Sequence, residues 1–146
     1  MTQRIYVASS WRNKYQPAVV AMLRQMGHEV YDFHTPRPGN DGFGWKEIDP
    51  NWESWTPERF RILLQHSVAK AGFESDANAV NWATMGVLVL PSGRSAHLEA
   101  GYLAGQGKPV HILMPEKSEP ELMYRWAAGI HLSAHELRAA LKELRA

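Results

Sequence analysis

The sequence predicts an α/β domain built on a mostly parallel sheet with helices on both of its faces. Three observations carry that prediction. Short apolar runs of strand length alternate with longer stretches in which apolar residues recur every three to four positions. The chain opens strand, helix, strand with short connections, the pattern of a parallel pair joined by a right-handed crossover. Its 146 residues suit a single domain, 1–146, able to bury a core without disulfides or a metal.

Ile5-Tyr6-Val7-Ala8 is a short apolar run that stops at Ser9-Ser10 and reads as a buried first strand. Pro17 fits the first turn of a helix, Val19, Val20, Leu23 and Met26 follow at helical spacing, and Gly27 supplies the left-handed residue that closes it. His28–Phe33 is the second strand. From about 34 to 55 the periodicity dissolves into Pro, Gly and aromatic residues, among them Phe43, Trp45, Trp52 and Trp55. A long segment this rich in aromatics reads as an ordered flap over a site, or else as a satellite hydrophobic cluster. Thr56-Pro57-Glu58 starts a helix through Leu64, and after Gly72 a second helix is expected from a Ser75 cap through Asp76, Val80 and Ala83. Gly86–Leu90 is a third strand. It stops at Pro91-Ser92-Gly93-Arg94-Ser95, and a helix is expected from Ala96, with Leu98, Tyr102 and Leu103 on one face. Val110–Leu113 is a fourth strand, followed by a short helix near 119–126 and a fifth strand near Gly129–His131. A capping box at Ser133–Glu136 opens a last helix that turns Leu137, Leu141 and Leu144 inward. Five strands suit the flavodoxin-like, Rossmann-like order 2-1-3-4-5.

Composition excludes several classes. With no cysteine there is no disulfide framework, thiolate nucleophile or cysteine-ligated zinc, which fits a reducing, cytoplasmic setting. A net charge of +1 with scattered Lys and Arg argues against a nucleic-acid polymer as partner. No apolar run approaches the ~20 residues of a membrane helix, and the N-terminus lacks the features of a secretion signal. There is no HExxH, GxSxG or Walker sequence, and His97 and Glu99, two apart on a helix, point to different sides, so no metal site is expected. His66, His111, His131 and His135 are expected at edges or on the surface.

In an open sheet of order 2-1-3-4-5, ligands bind beyond the carboxyl ends of the first and third strands. The loops there are Ser9-Ser10-Trp11-Arg12-Asn13 and Pro91-Ser92-Gly93-Arg94-Ser95. The second has the composition of an anion cradle. Gly93 permits close backbone approach, Ser92 and Ser95 bring hydroxyls, Arg94 brings a bidentate cation, and helix N–H groups follow. Glu99, a turn or so into that helix, either answers the helix dipole or stands beside a sugar as a carboxylate nucleophile, with Asp76 as a second carboxylate. Trp11 and the flap tryptophans could stack on a planar base or pack a lid.

Two stretches carry a resemblance. Arg4-Ile5-Tyr6-Val7-Ala8-Ser9-Ser10 looks like the first strand of nucleoside 2-deoxyribosyltransferases and related nucleotide N-hydrolases. Leu90–Tyr102 with Gly107-Lys108-Pro109-Val110 resembles their active-site strand, loop and helix. The resemblance implies a small oligomeric α/β enzyme, a dimer or larger, that cleaves the N-glycosidic bond of a nucleoside or nucleotide with no metal or redox cofactor. It matches the nucleophile to Glu99, the tyrosine that orients it to Tyr6, and the aspartate that serves the leaving base to Asp76. Beside these, the placement and composition of the two loops assign Ser9, Ser10, Trp11, Ser92, Gly93, Arg94 and Ser95 to substrate binding, and the stacking reading of the flap assigns Trp45. The family's transferases carry an acidic residue six positions before the nucleophile; here Gly93 stands there, and the Ser/Gly/Arg loop resembles a 5′-phosphate site, so hydrolysis is favoured over transfer. The same loop also resembles the catalytic segment of Toll/interleukin-1 receptor domains, which implies NAD cleavage through Glu99 as an alternative. A nucleotide-binding module without catalysis is a second one.

Overall fold

A computed structural model describes residues 2–143. In chain order its elements are β1 (Arg4–Ala8), α1 (Gln16–Gln25), β2 (Glu29–Tyr31), α2 (Pro57–Leu63), α3 (Ser67–Trp82), β3 (Met85–Val89), α4 (Arg94–Gly105), β4 (Val110–Leu113), β5 (Gly129–His131) and α5 (Ala134–Glu143). The strands form one sheet in the order β2-β1-β3-β4-β5, every neighbouring pair parallel. The predicted fold class and strand order are therefore those of the protein. The chain divides into two compact units, residues 1–32 with 82–146, and residues 33–81.

The first unit holds the sheet. Alternation along the strands sends Ile5, Val7, Met85, Val87, Val89 and Leu113 to one face, where they meet Val19, Val20, Leu23 and Met26 of α1 and Leu137 and Leu141 of α5. Leu144, also expected to face inward, lies outside the described residues. On the other face Gly86 is required by close approach, since a Cβ there would stand 2.7 Å from Leu103 Cδ1 on α4. The second strand is shorter than the 28–33 expected. The short helix near 119–126 is a 3-10 turn over Leu122–Trp126. The expected capping box at α5 is displaced by one residue: Ser133 Oγ accepts from the Glu136 amide, but Glu136 Oε2 accepts from Leu132 N. No helix among the described residues is long and apolar enough to cross a membrane.

His111 corrects the expectation that it lies at an edge or on the surface: it is buried in the fourth strand of the sheet. A histidine can be buried there because His131 on β5 faces it, Nδ1 to Nε2 at 2.9 Å with the rings stacked, so one imidazole donates and the other accepts. Burial, then the neighbouring imidazole, holds His111 below the ordinary value of 6.5; burial also lowers His131, against an opposing pull from Glu136. Folding therefore favours the neutral pair. Between the depressed native values and 6.5 the unfolded chain binds more protons than the folded one, so stability falls as pH drops through that window. Chemical denaturation at neutral pH and at about pH 5 should show this slope, and His111→Phe should flatten it. An unchanged slope in that variant would assign the acid lability to other groups.

The second unit is organised by aromatic rings. Trp45 receives the rings of Phe43, Trp55 and Phe60 edge-on at centroid distances of 4.7, 5.6 and 5.9 Å. Trp55 Nε1 donates to Asp49 Oδ2 at 2.8 Å, a bond that holds the Asp49 carboxyl below its usual range. As read from sequence, Thr56 caps α2 by accepting from Arg59 N at 3.1 Å. The expected break at Gly72 and restart at Ser75 is absent: α3 runs unbroken from Ser67 to Trp82. Gly72 serves packing instead. A Cβ there would press on the Phe43 ring at 3.1 Å, so the glycine makes room for the aromatic cluster within an intact helix.

Candidate functional site

The site is assembled where the β1–α1 and β3–α4 loops meet at the carboxyl ends of adjacent strands. Tyr6, fully buried on β1, stacks on Tyr31 of β2 with ring centroids 5.3 Å apart and planes at 16°. Its hydroxyl donates to Glu99 Oε2 on α4. The pairing follows from the pleat: Tyr6 points to the face that α4 covers, and Glu99 lies on the inner side of that helix. A half-buried carboxylate is thus held by a buried phenol at the mouth of the sheet.

The two loops are stitched together by short polar residues. Ser9 Oγ donates to Val89 O at 2.8 Å, and Gly93 N donates to Ser10 Oγ at 2.8 Å. Asn13, itself buried, donates from Nδ2 to Val89 O and Pro91 O at 3.2 and 2.9 Å. Its Oδ1 accepts from Tyr15 N and Gln16 N at 2.7 and 2.8 Å, at the start of α1. Sequence reasoning placed Asn13 in the loop without a role; an Asn a few residues before a helix-starting Pro17 was the available signal.

Helix α4 begins at Arg94 with Gly93 as its N-cap, two residues earlier than the Ala96 start expected behind a Ser95 cap. Arg94 and Ser95 are therefore exposed in the first turn, where helix geometry leaves N–H groups without partners inside the helix. The Gly93 amide is engaged by Ser10, so Gly93 offers no N–H to a ligand. Beside it, His97 Nδ1 lies 2.8 Å from Gly93 O and 3.4 Å from Ser92 Oγ. A carbonyl only accepts, so Nδ1 carries the proton, and Nε2 accepts from the Tyr124 hydroxyl at 2.8 Å. Burial, then Glu121, raises the Tyr124 phenol above its ordinary value, which keeps it a donor. The sequence offers His97 only as a poor metal ligand; in the structure it ties the Ser92–Gly93 loop to the 3-10 turn.

Of the residues predicted from sequence, Tyr6 and Glu99 are in contact, and Ser9, Ser10, Ser92, Gly93, Arg94 and Ser95 share the two stitched loops. Trp11 in the first loop is half-exposed. Trp45 and Asp76 belong to the second unit, Trp45 at the centre of its aromatic cluster and Asp76 half-buried on α3. Among the described residues no three His, Cys, Asp or Glu side chains gather as a metal-ligand group.

No protein-family model matches the chain, and no curated protein matches it in sequence. Solved structures do match. A 2-deoxyribosyltransferase from the psychrotolerant bacterium Bacillus psychrosaccharolyticus superposes with a TM-score of 0.61 at 21% identity, over 92% of this chain and 89% of that one. A CMP N-glycosidase from Clostridium botulinum superposes with a TM-score of 0.54 at 15% identity, over 96% of this chain and 99% of that one. At these identities the likeness is one of fold, and it extends over nearly the whole of each chain.

Proposed function

We propose that this chain, which shares the fold of a 2-deoxyribosyltransferase and a CMP N-glycosidase, cleaves the N-glycosidic bond of a nucleoside 5′-monophosphate or nucleoside. The observation that carries the reading is the Tyr6–Glu99 hydrogen bond beneath a Ser/Gly/Arg loop at the start of α4. The Glu99 carboxylate attacks the anomeric carbon as the carbon–nitrogen bond breaks, giving a glycosyl ester and the departing base, which takes up a proton. Water then attacks the same carbon, the ester bond to Glu99 breaks, and the free sugar leaves. Tyr6 fixes the rotation of the carboxylate and spreads its charge. On the strength of the resemblance, Asp76 assists departure of the base and hydrolysis is favoured over transfer; Trp11 and Trp45 are assigned to the base because indole rings stack on planar bases. No step calls on a metal or redox cofactor.

Ser92, Arg94, Ser95 and the first-turn N–H groups of α4 are positioned to take a 5′-phosphate, with Ser9 and Ser10 bracing the loop. Arg94→Ala should weaken binding of phosphorylated ligands by roughly 10–100-fold, the effect of one charge-assisted hydrogen bond, and leave unphosphorylated nucleosides unaffected. Isothermal titration with matched nucleoside and monophosphate pairs measures this, and equal losses for both would refute the phosphate assignment. The reaction itself is tested by mass spectrometry of wild type incubated with pooled monophosphates, nucleosides and NAD. Free base from the monophosphates supports the reading. Nicotinamide alone would move the protein to NAD cleavage, and tight binding without product would make it a binding module.

A further inference from the structure

The apolar residues expected on one face of α4 part company: Leu103 is buried, whereas Leu98 and Tyr102 are 75% and 59% exposed. The start of the helix is tied down by a polar side chain instead. His97 reaches back one turn, and its Nδ1 lies 2.8 Å from Gly93 O, closer than its own amide, which meets the same carbonyl at 3.4 Å. The imidazole thus takes over the bond that would close the first turn. The Gly93 amide donates to Ser10 Oγ at 2.8 Å, so both polar backbone groups of Gly93 are gripped by side chains, one from the β1–α1 loop and one from α4. A trans peptide is planar, so a Gly93 carbonyl turned toward His97 sends the Arg94 N–H the opposite way, out of the helix mouth.

On the far side of the ring, Nε2 lies 2.8 Å from the Tyr124 hydroxyl, with the two ring planes at 16°. Both residues wall a cavity of about 200 Å³, together with Ala100, Gly101, Ala104 and Met123, so packing alone leaves the imidazole room to turn. Given the phosphate reading of Ser92, Arg94 and Ser95, on which this rests, we propose that His97 is a positioning residue for the anion loop. Tyr124 holds it in the state that leaves the Ser92 hydroxyl proton to a phosphate oxygen. Neutral imidazole carries a single N–H. With that proton on Nδ1, Gly93 O receives it, and Ser92 Oγ, 3.4 Å away, finds no acceptor on the ring. With the proton on Nε2, two lone pairs would face each other across 2.8 Å, and Nδ1 would draw the Ser92 hydroxyl to itself. Donation from Tyr124 into Nε2 favours the first arrangement. His97 therefore aims the Arg94 N–H and frees the Ser92 donor without touching the ligand.

Calorimetric titration of the full chain with inorganic phosphate tests this without any turnover. His97→Ala should bind phosphate roughly tenfold more weakly than wild type, the order of one hydrogen bond. His97→Asn and His97→Gln divide the ring between them. The shorter carboxamide stands where Nδ1 stood and can donate to Gly93 O, whereas the longer one reaches toward Tyr124 and leaves that carbonyl without its side-chain donor. His97→Asn should therefore restore nearly wild-type affinity and His97→Gln should not, with circular dichroism showing all three variants folded. A long-range proton–nitrogen NMR spectrum of unliganded wild type should place the His97 proton on Nδ1, and Tyr124→Phe should spread it over both nitrogens. A proton on Nε2 in wild type overturns the proposal, as does a tautomer indifferent to Tyr124→Phe. So does a His97→Ala variant that binds like wild type, or a His97→Asn variant that binds no better than His97→Gln. A wild type that takes up no phosphate overturns the anion site and the proposal together. Absence of free base in the mass-spectrometric screen refutes the reaction alone, since phosphate uptake needs no turnover.

Discussion

Glu99→Gln should lower the rate of base release by at least about 10³-fold and leave the melting temperature close to that of wild type. The carboxamide keeps the shape of the side chain and can still accept from the Tyr6 hydroxyl, so the fold loses little. What it loses is the anionic oxygen that, in the proposed mechanism, forms the glycosyl ester. Tyr6→Phe is the companion experiment. The ring and its stack on Tyr31 remain, while the phenol's hydrogen bond to Glu99 Oε2 goes. The expected loss is roughly 10–100-fold, carried in kcat, since a hydrogen bond to a charged group contributes about 1.5–3 kcal/mol. A carboxylate deprived of a donor ionises less readily, so the acid limb of the pH–rate profile should move to higher pH in Tyr6→Phe. A structural tyrosine would leave that limb in place. Full turnover in a folded Glu99→Gln protein would sink the mechanism whatever Tyr6 does.

The strands and the two loops that frame the site were legible in the sequence for a physical reason, whereas the pairing of Tyr6 with Glu99 was suggested only by the resemblance. A sheet buried on both faces must be written as continuous apolar runs, so Ile5–Ala8, Gly86–Leu90 and Val110–Leu113 stand out, and topology then locates the crevice between the first and third of the sheet's strands. What stayed hidden depends on partners far along the chain. The start of α4 was placed behind Ser95 because serine is a good local cap. Gly93 serves instead because Ser10, 83 positions away, offers its hydroxyl to the Gly93 amide. Gly72 looked like a helix end because its reason for being glycine, the Phe43 ring, lies 29 positions upstream. His111 looked peripheral until His131 on the neighbouring strand supplied its hydrogen bond. The aromatic content of the 34–55 segment is plain in the sequence, but only the structure shows Trp45 as the ring around which the others gather.

Asn13→Ala should destabilise the protein by roughly 2–4 kcal/mol, the combined effect of a lost cap and buried carbonyl oxygens stripped of a donor. The side chain is only 7% exposed and makes four hydrogen bonds, two accepted from the start of α1 and two donated to Val89 and Pro91. Val89 O keeps Ser9 as a donor after the substitution, so most of the donor loss falls on Pro91 O. Asn13→Asp separates the two halves of the role. It retains the acceptor for Tyr15 N and Gln16 N but sets a carboxylate oxygen against two carbonyls, and so should destabilise despite preserving the helix start. Urea denaturation distinguishes the cases: an Ala variant within about 0.5 kcal/mol of wild type would mean that water replaces the network at no net loss. The same bonds join the loop that holds Ser9 and Ser10 to the loop that holds Ser92, Arg94 and Ser95. Slackening them should raise KM for a monophosphate more than it lowers kcat, because Tyr6 and Glu99 are held by β1 and α4 rather than by the loops. A folding defect alone would reduce the amount of active enzyme and leave KM where it was, so the ratio of the two effects separates a scaffold residue from one that shapes the anion site.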